Sequence, residues 1–251
     1  MLDQDNKIIG AAITKRNQIR FDLEIIANLI EPDSKVLDIG CGNGELLKHL
    51  KDKKAVDARG LELSSIYVSE SVRKGISVIQ GNAEDDLIYY PDDSFDYAIL
   101  SQTIQAMHDP RKIMEQMLRI ARFAIISLPN FAYIKNRLYL TFKGEMPVSK
   151  TIPYQWYDTP NIHFCSIRDF EKLCIQMGFD IQKRIYLTNK RLLSGWCGTR
   201  MWANCFAEYG IFLITKDKFS GISEGKFVFD NKKTPLLVAS SANAGLASSG
   251  K

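Results

Sequence analysis

The sequence predicts an α/β fold of the doubly wound, Rossmann-like kind, with a mostly parallel seven-stranded sheet, an antiparallel last strand and a lid insertion. Three observations support this prediction. Residues 35–39 form an apolar strand pattern that continues through a glycine-spaced turn into a helical pattern ending near residue 52. Strand and helix patterns then alternate as far as residue 130. The strand patterns end in polar residues, which a parallel sheet gathers at one edge.

The turn after the first strand carries glycine at every second position, Gly40, Gly42 and Gly44, and it follows Asp38. Without Cβ atoms the backbone can turn sharply and a ligand can lie directly on it, facing the N-terminus of the next helix. We therefore expect a small, polar, partly anionic ligand over this loop. The dinucleotide fingerprint Gly-x-Gly-x-x-Gly fails because Glu45 holds its sixth position, which disfavours a nicotinamide dehydrogenase.

The next strand patterns end in side chains that suit a nucleoside. Glu62 lies 18 positions after Gly44, and its carboxylate can accept hydrogen bonds from both ribose hydroxyls. Asn82 stands at a polar turn after the third strand, and its amide can donate to and accept from an adenine edge. Ser101 and Gln102 end the fourth strand at the same crevice. Glu62 could instead be a solvated charge and Asn82 a plain turn residue, but the glycine loop favours ligand binding.

One domain is expected over residues 17–216, with a core at 17–130. Residues 131–165 interrupt the alternation with aromatic residues, Pro, Asn and His. An insertion at this place, after the fifth strand, would form a lid over the substrate. Its aromatic residues Tyr154, Trp156 and Tyr157 could instead simply cap an edge of the core. Its charges lack the periodicity of a solvent-exposed helix, so no such helix is predicted there.

The closing part of the domain, residues 166–216, is predicted to start with a helix that a capping pattern at Ser166 and Asp169 introduces. Strand-like residues at 181–187 and 208–215 predict an antiparallel pair that closes the sheet. Residues 190–205 between them are predicted to form a connecting loop of no assigned role. The two ends, residues 1–16 and 217–251, are predicted to be a loosely ordered lead and a poorly ordered tail.

Composition and charge narrow the class of protein. The 251 residues are 45% hydrophobic and 25% charged, as in an ordinary globular protein. The net charge of +4 comes without a dense Lys/Arg stripe, so no nucleic-acid partner is expected. The five cysteines show no paired metal spacing, which predicts no metal site and a reducing cytoplasm. No signal core or membrane-spanning run is found, so no membrane partner is expected.

From about Arg20 to Thr215 the sequence resembles the methionine-biosynthesis W protein (MetW) family, which has the class I methyltransferase fold. The glycine loop matches motif I of that superfamily, whose members bind S-adenosylmethionine (SAM). The more specific signals are the runs Phe95–Ala106, Leu128–Phe131, Met146–Lys150 and Trp156–His163. The last two together are the most specific to the family.

The resemblance implies a SAM pocket with a part for each portion of the cofactor. Asp38 and the three glycines would hold the methionine portion, Glu62 the ribose, and Asn82 with Ala83 the adenine. Relatives more often carry Asp at the position of Asn82, and Asn keeps the acceptor oxygen. The full implied set is Asp38, Gly40, Cys41, Gly42, Asn43, Gly44, Glu62, Leu63, Asn82, Ala83, Ser101 and Gln102. The family acts in methionine biosynthesis beside a homoserine O-acyltransferase, the expected partner.

Two functions stay open at this point. As an enzyme the protein would position SAM against a small-molecule acceptor, with His163, Asp158 or Tyr157 as the candidate base. As a non-catalytic partner it would bind SAM and regulate the acyltransferase. A nucleic-acid adenine methyltransferase is disfavoured, because Ser101-Gln102-Thr103 replaces the Asn/Asp-Pro-Pro-aromatic run expected after the fourth strand.

Overall fold

The computed structural model describes residues 19–149, 151–189, 191–193 and 200–216. The predicted lead at 1–16 and tail at 217–251 lie outside the described residues. The described helices are α1 (Phe21–Asn28), α2 (Glu45–Lys54), α3 (Ser65–Arg73), α4 (Ala83–Asp86), α5 (Pro110–Ile120), α6 (Ile134–Lys143), α7 (Ile167–Gln176) and α8 (Arg200–Phe206). The strands are β1 (Lys35–Ile39), β2 (Asp57–Glu62), β3 (Ser77–Gln80), β4 (Phe95–Ser101), β5 (Ala121–Pro129), β6 (Asp180–Thr188), β7 (Arg191–Leu192) and β8 (Tyr209–Thr215).

The strands form one sheet in the order β3-β2-β1-β4-β5-β8-β6-β7. Strands β1 to β5 are parallel, and β8 lies antiparallel between β5 and β6. In the register of the sheet, Ile39 pairs with Leu61 and Leu100, and Glu62 pairs with Gln80. The first four strands therefore end at one edge, which confirms the predicted fold class and the predicted meeting of their polar ends.

The prediction that residues 190–205 form only a connecting loop is wrong in two places. Strand β7 is an eighth strand, which pairs antiparallel with β6, Thr188 opposite Arg191. Asn189 follows β6 with φ +45°, a backbone conformation that Asn tolerates better than most residues. Helix α8 fills the end of the segment and buries Ala203 completely. Its position depends on contacts distant in sequence, and a local pattern does not reveal such contacts.

The prediction that the insertion lacks a solvent-exposed helix is also wrong. Helix α6 occupies Ile134–Lys143, and among its residues only Asn136 is buried. The helix ends at Gly144, whose φ of +67° is the usual left-handed termination. The sequence prediction takes a periodic pattern of charges as the mark of a solvent-exposed helix. Helix α6 lacks that pattern because apolar and basic side chains share its exposed surface.

The helices on the two faces of the sheet hold the loops rigidly. Helix α2 buries Leu46, Leu47 and Leu50, the apolar positions that the sequence indicated. Asp109 caps α5 by accepting a hydrogen bond from Lys112 N at 3.1 Å, with Pro110 in the first turn, as predicted. Ser166 forms the predicted capping box at the start of α7. Within the described ranges, no helix is both long and apolar enough to cross a bilayer.

Candidate cofactor site

The glycine loop between β1 and α2 is open on one side only. Gly40, Gly42 and Gly44 have φ values of +69°, +55° and +72°, so all three need the left-handed region that glycine adopts freely. A Cβ on Gly40 would lie 3.2 Å from Thr103, and one on Gly44 would lie 2.7 Å from Ser71 Oγ. A Cβ on Gly42 would meet nothing within 4 Å. The middle glycine therefore faces the space where a ligand can approach the backbone.

Glu62, at the end of β2, is fixed in front of this loop. Its Oε2 accepts a hydrogen bond from Gly42 N at 2.8 Å, and its Oε1 accepts one from Ser64 N at 2.9 Å. The side chain is buried, and each oxygen keeps a further lone pair. Two more hydrogen bonds can thus be accepted without moving the carboxylate. This arrangement is suited to a pair of hydroxyl groups.

Asp38 lies buried at the end of β1 beside Glu62. Its Oδ1 has no hydrogen-bond partner among the described residues. Burial, with the nearby charge of Glu62 as the second cause, raises the pKa of Asp38 from 3.8 to about 8, and the charge of Arg20 opposes that rise. A buried carboxyl group without a cation partner is costly to ionise. A positively charged ligand at this place would relieve that cost.

The N-terminal part of α1 also contributes to this region, which the sequence analysis did not foresee. Gln102 follows β4 with φ +53°, and its Nε2 donates a hydrogen bond to Asp22 Oδ2 at 2.7 Å. The Nη2 of Arg20 lies 2.8 Å from the same oxygen, and the backbone N–H of Arg20 donates to Glu45 Oε1. Helix α1 is therefore tied to both the glycine loop and the end of β4. No local signal marked Arg20 or Asp22, which lie about 80 residues before Gln102 in the chain.

Two of the residues predicted to contact adenine or its surroundings, Leu63 and Asn82, differ in their environment. Leu63 is exposed, whereas the side chain of Asn82 is hydrogen-bonded to its own turn. Leu63 is 68% exposed directly after Glu62, so an apolar surface is available there. The side-chain oxygen of Asn82 accepts from Glu84 N at 3.1 Å, and its Nδ2 donates to Asp85 at 2.7 Å. Asn82 thus caps α4, as a plain turn residue would, and its contact with adenine stays a prediction. Ala83, next to it, is buried.

The remaining predicted cofactor residues support the loop. Cys41 is buried, and burial raises the pKa of its thiol. The side-chain oxygen of Asn43 accepts from Glu45 N at 3.2 Å. Ser101 Oγ lies 3.2 Å from Ser127 Oγ at the end of β5. These contacts fix the shape of the site.

Of the three candidate bases, His163 is the one tied to the β4 turn. Its backbone N–H donates to Gln105 O at 2.9 Å, and its ring Nε2 lies 3.3 Å from His108 O. Gln105 in turn donates from Nε2 to Gln102 O at 2.7 Å. Gln105 therefore links His163 to Gln102, a predicted cofactor residue. Asp158 and Tyr157 are exposed within the insertion, where Tyr157 packs edge-on against Trp156. Among the described residues, neither side chain forms a hydrogen bond with the glycine loop.

A cavity of about 410 Å³ opens at the β3 edge of the sheet, next to Asn82, whose backbone N–H donates to the lining residue Asp86. Its lining consists of Leu61, Ile79, Gln80, Asp86, Tyr89, Tyr90 and Pro91. None of these is a predicted cofactor residue. The glycine loop, beside Glu62 and Asp38, stays the candidate cofactor site.

Comparison with known proteins decides the family. The family model described as methionine biosynthesis protein MetW matches residues 20–214. The chain belongs to the MetW family. A bifunctional methionine biosynthesis protein MetXA/MetW from Rhodopirellula baltica is 33% identical over 177 residues, 67% of this chain and 28% of that protein. The MetW family resemblance noted from the sequence is thereby confirmed.

More distant relatives of MetW are methyltransferases by name. A demethylmenaquinone methyltransferase from Shouchella clausii is 22% identical over 181 residues, 62% of this chain and 75% of that protein. The chain spans only about a quarter to a third of the length of the first curated relatives it matches.

Solved structures confirm the class I methyltransferase fold of this MetW chain. A SAM-dependent methyltransferase from Thermotoga maritima aligns with a TM-score of 0.55 at 19% identity, covering 78% of this chain and 89% of that one. The [4+2]-cyclase SpnF aligns with a TM-score of 0.56 at 17% identity, and the alignment covers 78% of this chain and 80% of that one. At these identities the likeness shows the fold alone.

Proposed function

We propose that this MetW protein binds SAM over the glycine loop and transfers its methyl group to a small-molecule acceptor in methionine biosynthesis. The observation that carries the proposal is the Glu62 carboxylate, which Gly42 N and Ser64 N hold in place with lone pairs to spare. The buried Asp38 beside it adds a second acidic group. SAM carries a sulfonium and an ammonium group, so it fits a site of this charge.

Each part of the site would have a separate task. Glu62 would accept hydrogen bonds from the two ribose hydroxyls, and the exposed Leu63 would cover one face of the adenine ring. Asp38 would face the positive charge of the methionine portion. The backbone of Gly42, open to solvent, would let the ligand lie close to the loop. When bound, SAM supplies a methyl group that needs only an in-line nucleophile about 3 Å away.

The acceptor would bind on the side of the insertion. His163 is our first candidate for the base, because its backbone is fixed to Gln105 next to the β4 turn. An exposed imidazole can act as a general base toward an oxygen or nitrogen nucleophile. Asp158 and Tyr157 stay candidates only if the insertion closes toward the loop.

The second candidate function is that of a SAM-binding, non-catalytic partner of a homoserine O-acyltransferase. It is favoured by the relative whose name joins MetXA and MetW in a single protein. It is also favoured by the apolar side chains that the insertion exposes. In this case the pocket would sense SAM and the insertion would contact the acyltransferase.

The test uses methyl-labelled SAM in an extract of cells that lack this protein. Purified wild type, Glu62→Ala and Glu62→Gln are added separately. Asp57→Asn, at the other end of the same strand and exposed, serves as the matched control. We expect labelled product with wild type and the control, and SAM binding weakened roughly 30- to 1000-fold in Glu62→Ala.

The outcomes separate the two functions. Transfer that depends on Glu62 identifies an enzyme, and the labelled product names the acceptor. Calorimetric SAM binding without any transfer refutes the enzyme and favours the regulatory partner. Wild-type binding of SAM that Glu62→Ala leaves unchanged refutes the proposed site itself.

A further inference from the structure

Helix α6 exposes a group of large apolar side chains. Of its ten residues, Leu138, Tyr139, Leu140 and Phe142 are large and exposed, and Phe142 reaches 80%. Large apolar side chains clustered on a surface mark an interaction site more often than scattered ones do. More than half of the large exposed apolar side chains of the described residues lie in the insertion.

The side-chain hydrogen bonds seen for α6 in the described part of the chain stay local. Asn136 Nδ2 donates to Phe131 O, Arg137 Nε donates to Ala132 O, and the Tyr139 hydroxyl donates to Glu145. The helix is therefore shaped by its own segment, with Asn136 as its buried anchor. Such a helix keeps its outer surface available for a partner.

The charge on α6 is of one sign. Its sequence contains Lys135, Arg137 and Lys143 and no acidic residue. Around the helix axis, at about 100° per residue, Lys135 falls between Phe142 and Tyr139. Apolar and basic groups are thus mixed over the surface. A helix that lies in a membrane interface separates them into two faces instead.

We propose that α6 is the docking element for the homoserine O-acyltransferase, and that it fits an apolar groove with a carboxylate rim on that enzyme. This inference rests on the partner named under the second candidate function. The relative that joins MetXA and MetW in one protein supports that occupant. Basic groups beside apolar anchors call for acidic groups around an apolar pocket.

A second copy of this chain fits the helix less well. In a two-fold symmetric pair the same patch meets itself, so Lys135 and Lys143 of one α6 would lie close to the same two lysines of the other. The helix offers no acidic residue to compensate them. Like charges placed opposite each other oppose association.

The experiment measures binding of the purified homoserine O-acyltransferase to the full chain by calorimetry. The test variant is Leu138→Asp with Phe142→Asp, which puts charge on the apolar anchors. The matched control is Ile88→Asp with Tyr89→Asp, two large side chains that are at least as exposed and lie beside the β3 edge. We expect the test variant to bind roughly 30-fold more weakly or worse, and the control to bind as wild type does. Lys135→Glu with Lys143→Glu should also weaken binding and reduce its dependence on salt.

SAM binding is measured on the same samples, so that a loss of docking can be told apart from a loss of fold. SAM binding that stays unchanged shows that each variant is folded. If wild type binds the acyltransferase and the test variant binds equally well, the α6 assignment is overturned while the partnership stands. If wild type does not bind it, the partnership and the inference both fail. If the test variant instead dissolves a dimer of this chain, or releases it from phosphatidylglycerol vesicles, the occupant is a second copy or a membrane and the proposal is overturned.

Discussion

Asp38→Asn should make the protein more stable, and by an amount that grows with pH. In the unfolded chain an aspartate ionises near 3.8, whereas burial first and Glu62 second raise the folded pKa of Asp38 to about 8. Folding therefore takes up a proton between these values, and the stability of the wild type falls as pH rises through that window. At pH 7 the cost is about 4 kcal/mol, and at pH 5 it is about 2 kcal/mol. Asn is neutral in both states and avoids this cost.

Urea unfolding at pH 5 and pH 7, followed by circular dichroism, tests this prediction. A new amide donor without an acceptor would offset about 1–3 kcal/mol of the gain at both pH values. The growth of the difference between pH 5 and pH 7, about 2–3 kcal/mol, depends on the titration of Asp38 alone. Asp52→Asn, in the exposed pair with Lys48, is the control and should change stability by about 0.5 kcal/mol or less. A stability difference that does not grow with pH would show that Asp38 is ionised in the folded protein, and the reasoning would fail.

Two further substitutions test the framework around the site. Gly60→Ala should destabilise the protein by about 1–3 kcal/mol in urea unfolding, because its Cβ would lie 2.5 Å from Cys41 Sγ and 3.0 Å from Leu47; unchanged stability would mean that the loop yields easily. Asn130→Ala should cost about 2–4 kcal/mol, because the buried amide donates to the carbonyls of Asn204 and Ala207 and accepts from Ala132 N. The control is Asn136→Ala, which among the described residues loses only a 3.4 Å side-chain hydrogen bond to Phe131 O. Equal losses of stability in thermal unfolding of the two variants would contradict this prediction.

The sequence predicted the position of Glu62 well for a simple reason. Parallel strands that alternate with helices must end at one edge, so an acid at the end of β2 has to face the loop after β1. The strand order and the register with β1 confirm this step. What no pattern gave is the contact from Gly42 N to Glu62, because it depends on the path of the loop in space.

Residues that are distant in sequence were missed for the same reason. Asp22 reaches Gln102 across 80 residues, and nothing near Asp22 in the chain signals that contact. Asn82 shows the opposite limit. Its residue type suits both an adenine contact and a helix cap, and the structure shows the cap. The residue type at a turn shows which hydrogen bonds its side chain can form, but it does not show which group forms them.

Gln105 connects the two parts of the molecule on which the proposals depend. Its carbonyl accepts hydrogen bonds from Ile162 N and His163 N of the insertion, and its Nε2 donates to Gln102 O beside the cofactor site. A partner that moves the insertion would therefore act on the turn that carries Gln102, a predicted cofactor residue. Coupling of this kind is reciprocal: if SAM strengthens binding of the acyltransferase by some factor, the acyltransferase must strengthen binding of SAM by the same factor. Gln105 is buried and its Oε1 has no partner among the described residues. A regulator that senses SAM requires a factor different from one, so a measured factor of one would argue against the regulatory function.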